Sequence, residues 1–215
     1  MDNNTTDNNT ANESKRNYVT FGVCIILALV IGGAVGWGLS AALDNGSSDR
    51  SVGSLAAKAS AAGHNQADVT FTQMMVPHHE QALEMAQLAS SRASSADVKA
   101  LAANIEAAQQ PEIDKMNGWL NAWGAESMSG MDHGSMDMGQ GMMSQADMDA
   151  LDKATGTEAA KLFLTGMIKH HRGAITMAQQ QIANGQNPEA KQLAQDIIDA
   201  QQTEITTMNQ LLDQL

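Results

Sequence analysis

The chain contains an internal repeat, and this repeat limits the folds that are open to it. Residues 71–87 and 163–179 align at a constant offset of 92, with 8 of 17 positions identical. The same offset aligns residues 97–123 with 189–215 without a gap. Ungapped similarity through two consecutive segments indicates one supersecondary unit that occurs twice.

The composition predicts that the repeated unit is helical. Aromatic residues make up 3% of the chain, which is too few for a typical β-sandwich or barrel. Ala, Met, Gln, Leu and Glu are abundant, and all of them are strong helix formers. The predicted helices span residues 66–92, 96–123, 144–154, 157–184 and 188–214. We therefore expect an all-α fold in which two repeated helical hairpins (66–123 and 157–215) form an antiparallel four-helix bundle.

Local signals define the ends of these helices. Ser94 and Ser95 offer a break and an N-cap before the second helix. Gly185 is a suitable C′ residue for the predicted helix at 157–184. Asn187 and Pro188 then provide an N-cap and an N1 residue for the last helix.

The N-terminal region predicts a membrane anchor. Residues 17–43 carry no charged side chain and are long enough to cross a hydrocarbon core of ~30 Å. Lys15 and Arg16 precede this segment, so the positive-inside rule places residues 1–16 in the cytoplasm and the rest outside. A cleaved signal peptide, with a secreted product, is the alternative interpretation.

Two segments of the extracytoplasmic part are predicted to be loops. Residues 44–65 are rich in Ser, Gly and Ala and are typical of a flexible linker to the bundle at 66–215. Residues 126–148 join the two repeats and contain seven Met and His133 among Gly, Ser and Asp. This segment lacks the aliphatic residues of a core, so we expect a mobile, methionine-rich loop.

Charge and cysteine content exclude several classes of protein. The net charge of −12 argues against nucleic-acid binding, which needs a basic face. A single Cys provides neither a disulfide framework nor a thiolate zinc site. No Gly-x-Ser-x-Gly sequence is present, which argues against nucleophilic hydrolysis. We expect a binding protein rather than an enzyme.

The repeated motif places pairs of histidines on one helix face. His78 and His79 in the first copy correspond to His170 and His171 in the second. At helical spacing they share a face with apolar residues that a bundle should turn inward, so the two pairs are expected to meet across the core. The methionines on the same faces are Met75, Met85, Met167 and Met177.

A carboxylate interrupts the apolar stripe of the second helix in each hairpin. The stripes run Leu101, Ile105, Ala108, Glu112, Met116 and Leu193, Ile197, Ala200, Glu204, Met208. Burial of an unpaired carboxylate is costly, so we expect each Glu to contact a histidine, as a partner that orients the ring or as a direct metal ligand.

Imidazole and thioether together, without thiolate, indicate copper. Thioethers favour Cu(I), and imidazole binds Cu(I) and Cu(II), whereas zinc would gain nothing from Met. The predicted ligands, including those of the loop, are His78, His79, His170, His171, Met75, Met85, Met167, Met177, Glu112, Glu204, Met128, Met131, His133, Met136 and Met138.

Two other functions stay open at this point. The methionines and histidines could serve core packing, which would make the chain a metal-free structural or partner-binding bundle. A di-iron oxidase would carry Glu-x-x-His on two helices, and the sequence has no such motif.

The two histidine motifs resemble those of the family called domain of unknown function 305. They read Met-Met-Val-Pro-His-His-Glu-Gln-Ala-Leu-Glu-Met-Ala and Gly-Met-Ile-Lys-His-His-Arg-Gly-Ala-Ile-Thr-Met-Ala. The resemblance covers about residues 66–215. It implies a ferritin-like helical bundle, secreted or membrane-anchored in bacteria, with copper binding in some members. The second copy departs from the first at Lys169, which replaces Pro77, and at Gly166, which replaces Met74.

We therefore expect a membrane-anchored extracytoplasmic protein that buffers, sequesters or transfers copper as Cu(I). The predicted partners are the metal ion, the membrane and a protein that exchanges copper with the chain. The sequence leaves the stoichiometry, the oligomeric state and the number of core sites open, and it also leaves a copper-dependent redox activity open.

Overall fold

The computed structural model describes residues 63–127 and 141–215, and these ranges are helical. The five helices are α1 (Gln66–Arg92), α2 (Ala96–Trp123), α3 (Gln145–Lys153), α4 (Gly156–Asn184) and α5 (Pro188–Leu212). In these ranges there is no strand, and an isolated bridge joins Ala93 to Gly156. The all-α class is confirmed, and the four long helices begin and end within two residues of the predicted limits.

Side-chain caps explain where four of the five described helices begin, and α4, which follows Thr155, has no such cap. Asn65 accepts hydrogen bonds from the backbone of Ala67 and Asp68 at the start of α1. Ser95 caps α2 and Ser144 caps α3 in the same way. Asn187 caps α5, as predicted. Each cap satisfies backbone N–H groups that have no partner in the first turn of a helix.

Gly185 follows the last residue of α4, as predicted, but not because of a left-handed backbone conformation. A C′ glycine commonly has a positive φ, but Gly185 has φ −69°. A Cβ at this position would lie 2.7 Å from Oδ1 of Asp68 and from Cδ of Gln181. Glycine is therefore favoured by the close approach of two side chains, Gln181 from the last turn of α4 and Asp68 from the start of α1.

The four long helices form two antiparallel hairpins that meet through their first helices. α1 packs along α2, and α4 packs along α5. The two hairpins contact each other mainly through α1 and α4, whereas α2 and α5 barely meet. The short helix α3 packs against both α1 and α4. The central α1–α4 contact is thus the place where residues of the two repeats come together.

The apolar core consists of two clusters that the repeat relates to each other. Cluster A contains Met85, Met167 and Met208, and cluster B contains the equivalents Met177, Met75 and Met116. Most other members also exchange clusters when the offset of 92 is applied, as Ile105 and Ile197 do. An approximate twofold relation therefore links the halves. Three repeat-related thioethers lie in each cluster, and Met148 is a fourth buried methionine in cluster A.

The predicted membrane segment falls outside the part of the chain that the structure describes. This holds for residues 1–62, which include the tail, the span at 17–43 and most of the linker. It also holds for loop residues 128–140. Among the helices of residues 63–127 and 141–215, none has the length and apolar character to cross a membrane.

A buried carboxylate joins the start of α1 to the turn between α4 and α5. Asp68 is fully buried, and its carboxylate accepts hydrogen bonds from the side chain of Gln181 and from the backbone N–H groups of Gln186 and Asn187. It also accepts one from the backbone of Asn65, at 2.8 Å. Burial raises the pKa of Asp68, but these hydrogen bonds outweigh it, and the pKa lies below the ordinary 3.8.

We predict that Asp68→Asn lowers the free energy of unfolding by about 3 kcal/mol at pH 7, because an amide cannot accept from all these donors. Since the folded-state pKa is lowered, the contribution of Asp68 is complete above pH 3.8 and is lost as the pH falls below that value. Urea denaturation of both proteins at several pH values measures this difference.

Asp147→Asn is the matched control for this experiment. Asp147 is likewise the N3 residue of a capping box, on α3, but it is exposed. Its replacement should cost clearly less. Equal losses for the two variants would show that Asp68 acts as a helix cap alone.

Candidate metal centre

Four histidines lie at the middle of the α1–α4 contact. His78 is 1% exposed, and His79, His170 and His171 are 0% exposed. The rings of His78 and His170 meet across the two helices with centroids 3.7 Å apart and planes inclined by 35°. His79 lies 6.5 Å from His78, and His171 lies 6.4 Å from His170. The predicted approach of the two pairs is therefore what the fold produces.

Each outer histidine contacts the glutamate that interrupts the stripe of the neighbouring helix. Nε2 of His79 lies 2.7 Å from Oε2 of Glu112, and Nε2 of His171 lies 2.6 Å from Oε2 of Glu204. The two glutamate side chains are 21% and 19% exposed, so they reach from the surface to the core. The expected His–Glu contacts thus form in both repeats.

These contacts determine which ring nitrogen can bind a ligand. A carboxylate only accepts hydrogen bonds, so Nε2 of His79 and of His171 must carry the proton. Nδ1 of each ring is buried and has no hydrogen-bond partner in the part of the chain that the structure describes. A buried N–H without a partner would be costly, so the neutral tautomer with its lone pair on Nδ1 is favoured.

His170 is the most strongly desolvated of these groups. Burial lowers its pKa well below the ordinary 6.5, and the neighbouring imidazoles His78, His171 and His79 lower it further. The backbone of His78 opposes this and raises the pKa, but within residues 63–127 and 141–215 neither ring nitrogen of His170 makes a hydrogen bond of good geometry. His170 is therefore neutral at physiological pH, which is the state that binds metal ions.

The predicted thioethers lie in the core on either side of the histidines. Met75, Met85 and Met167 are 0% exposed, and Met177 is 4% exposed. Each belongs to cluster A or cluster B, together with Met208 or Met116. The thioethers therefore form two groups, related by the repeat, rather than one ring around the imidazoles.

The predicted stripe on α2 and α5 is wrong at one position in each copy. Ala108 and Ala200 are exposed, and Gln109 and Gln201 are buried in their place, each 3% exposed. The reason is that position 109 lies closer to the middle of the arc that contains Ile105 than position 108 does. The identity of Gln109 and Gln201 at equivalent positions was the available signal for a buried polar residue.

Both glutamines have side-chain atoms without partners. Oε1 and Nε2 of Gln109 and Oε1 of Gln201 are buried, and no hydrogen bond reaches them from the described residues. They lie three residues before Glu112 and Glu204, in the same helices. Each hairpin thus has a buried amide one helical turn before the carboxylate that contacts its histidine.

The donor set fits a soft cation better than a hard one. No group of three or more His, Cys, Asp or Glu side chains within residues 63–127 and 141–215 is arranged to hold a metal. Zinc sites need such groups, because thioether is not a zinc ligand. Cu(I) and Ag(I) accept low coordination numbers and bind thioether and neutral imidazole, the two kinds of donor that are buried in this core. The loop residues Met128, Met131, His133, Met136 and Met138 lie outside the described residues.

The chain belongs to the family described as domain of unknown function (DUF305), whose profile matches residues 68–212. A DUF305 fragment from Deinococcus radiodurans is 31% identical, with a TM-score of 0.65 over 70% of this chain and 98% of that one. A DUF305 protein from Streptomyces coelicolor, provisionally described as secreted, is 32% identical, with a TM-score of 0.63 over 69% of this chain and 91% of its own.

A third similar structure is that of a protein named CopM in its Cu(II)-bound form. It is 36% identical to this chain, with a TM-score of 0.60 over 68% of this chain and 96% of CopM. CopM has also been solved in Cu(I)-bound, Ag-bound and apo forms. An uncharacterized protein of Acanthamoeba polyphaga mimivirus is 50% identical over 54 residues, and the match spans 36% of its length.

We predict that acid destabilises the metal-free protein through His170. Because its folded-state pKa lies below 6.5, the unfolded chain binds a proton more readily. The contribution of neutral His170 is therefore complete above pH 6.5 and decreases below it, by at most about 1.4 kcal/mol per pH unit. Urea denaturation between pH 5 and pH 7.5 measures this slope.

His170→Asn should flatten the slope, whereas the control variant His64→Gln should keep it, because His64 is exposed. Identical slopes for the wild type and His170→Asn would contradict the assignment of the slope to His170.

Proposed function

We propose that the chain is an extracytoplasmic copper-binding protein that holds Cu(I) in the core between α1 and α4. The observation that carries the proposal is the row of four buried imidazoles, in which ring nitrogens of His79, His170 and His171 receive no hydrogen bond from residues 63–127 and 141–215. Buried polar atoms in folded proteins nearly always have a partner, and those that do not call for a functional reason. The forms of CopM with Cu(I), Cu(II) and Ag support copper as the ligand class.

The residues of the core take different roles in this proposal. The imidazoles of His78, His79, His170 and His171 and the thioethers of Met75, Met85, Met167 and Met177 are the proposed ligands. Glu112 and Glu204 fix the ring orientation and the tautomer of His79 and His171, as carboxylates do in other metal sites. The loop residues Met128, Met131, His133, Met136 and Met138 recruit the ion.

The cargo would be buffered, sequestered or passed to a partner protein outside the cytoplasm. The proposed anchor is the uncharged segment 17–43, and cleavage after it would give a secreted protein instead. The description of the Streptomyces coelicolor relative agrees with a location outside the cytoplasm in either case. We also propose that the helical bundle is of the ferritin-like class.

A metal-free structural or partner-binding bundle is the second candidate. It is favoured by the thioethers, which are as buried as ordinary core methionines. It does not explain the buried imidazole nitrogens in both repeats that no hydrogen bond reaches from the described residues. A di-iron oxidase is less compatible with the chain, which lacks Glu-x-x-His.

The first test is a Cu(I) titration of the full chain in competition with a calibrated chelator, with Zn(II) in parallel. We predict tight binding that is selective for Cu(I). Replacement of the residues that orient the ligands, Glu112→Gln together with Glu204→Gln, should weaken it by about 10–100-fold. Glu84→Gln is the control, because Glu84 is an exposed carboxylate on α1. Equal weakening by the control would show that only net charge matters.

A second pair of variants separates the core from the loop. Simultaneous replacement of His78, His79, His170 and His171 by Ala should abolish tight binding, with circular dichroism as the check on helicity. Replacement of Met128, Met131, Met136 and Met138 by Ser should leave it. The opposite pattern would make the loop the binder, and absence of tight binding in the wild type would favour the metal-free bundle.

A further inference from the structure

The two repeats differ where one of them lacks a methionine. Met74 in α1 corresponds to Gly166 in α4. A Cβ added to Gly166 would lie 2.8 Å from Sδ and Cε of Met143 and 3.3 Å from Cε of Met85. Met143 belongs to the methionine-rich segment 126–148. The space beside Gly166 is therefore filled by a thioether from another part of the chain.

The backbone of Met143 is fixed in this position. Its N–H donates to Oε1 of Gln81 at 2.8 Å, and its carbonyl accepts from Nε2 of the same side chain at 3.0 Å. Two residues earlier, Gly141 has φ +83°, and a Cβ there would lie 3.2 Å from Cα of Gly173 on α4. The segment thus crosses from α4 to α1, and only glycine fits at its close approach to α4.

The other end of the core has an equivalent pair of thioethers. Met74 is half-buried and lines a cavity of about 270 Å³ together with Met177, which is 4% exposed. Met177 corresponds to Met85 when the offset of 92 is applied. Met143, also half-buried, lies beside Gly166 together with Met85, and Met74 lines the same cavity as Met177.

We propose that these pairs, Met143–Met85 and Met74–Met177, are two receiving sites where a soft monovalent cation passes from solvent to the buried core. Each combines a half-exposed thioether with a buried one that belongs to a core cluster. The cation exchanges one neutral thioether for another, so no proton or electron is transferred. This inference rests on the proposed copper function and adds the route by which the ion reaches the histidines.

The two receiving sites differ in how their outer ligand is supplied. Met74 is part of α1, whereas Met143 comes from the segment that also contains the recruiting methionines. Binding of the ion at Met143–Met85 is therefore linked covalently to the loop. The pair at Met143 should fill first when the loop delivers the ion.

The test is an Ag(I) titration of the full chain labelled with 13C at the methionine ε-methyl groups. Ag(I) is the probe because it is a soft monovalent cation without redox chemistry. We expect the methyl resonances of Met143 and Met85 to shift together at the lowest Ag(I) ratio, and those of Met74 and Met177 to follow together. Met143→Leu should remove the early shift of Met85.

Met148→Leu is the matched control. Met148 is 5% exposed and packs in cluster A, in the same segment as Met143, but it is not among the nearest neighbours of Gly166. This variant should keep the early shift of Met85. A rescue variant, Met143→Ala with Gly166→Met, moves the thioether onto α4, and it should restore the response of Met85 to Ag(I).

The outcomes separate this inference from the proposed function. Tight Ag(I) binding that leaves the Met143 resonance unmoved, or an early Met85 shift that survives in Met143→Leu, would overturn the receiving site while the core site stands. Failure of the folded rescue variant to respond would also overturn it. Absence of any methionine shift at stoichiometric Ag(I) would overturn both.

Discussion

The contact between His78 and His170 is the constraint on which the rest of the structure depends. Two imidazoles 3.7 Å apart at the centre of a helix–helix contact are expensive to bury, because water that would solvate their nitrogens is excluded. The glutamates lower the cost only at the adjacent rings, since Glu112 and Glu204 reach from the partner helices to His79 and His171. α1 and α4 must therefore touch at this point, and α2 and α5 must each follow their own partner closely enough to deliver a carboxylate.

This arrangement places the apolar core in two clusters instead of one. The polar row divides the interior, and each end is filled by residues that include three thioethers. Duplication explains why the two clusters are equivalent, because both repeats carry the same hairpin sequence and each contributes residues to both clusters. The departure at Gly166 breaks this equivalence, and the segment that joins the repeats fills the gap with Met143. Symmetry thus comes from the repeated helices, and asymmetry comes from the connection that occurs once.

Helix limits and the His–Glu contacts could be predicted because their signals are local or periodic. Ser95 and Asn187 act within one turn of their own helices, and the carboxylate of Glu112 is conspicuous in an apolar stripe. The reason for Gly185 could not be predicted, because it depends on Asp68, more than a hundred residues earlier. The position of Met143 depends likewise on a hydrogen bond to Gln81 and on the space left beside Gly166 in α4. No sequence period relates residues that meet only after the hairpins have packed.

The surroundings of the histidines favour a monovalent over a divalent cargo. The cost of moving an ion from water into a core rises with the square of its charge, so a divalent ion costs about four times as much as a monovalent ion of equal size. The proposed ligands are neutral, and the nearest compensating charges, Glu112 and Glu204, act through the imidazoles that they orient. One partly exposed carboxylate per repeat offsets a single positive charge far better than a double one. The exclusion of water from this core therefore supports the proposal of Cu(I) rather than Cu(II) or zinc as the ligand.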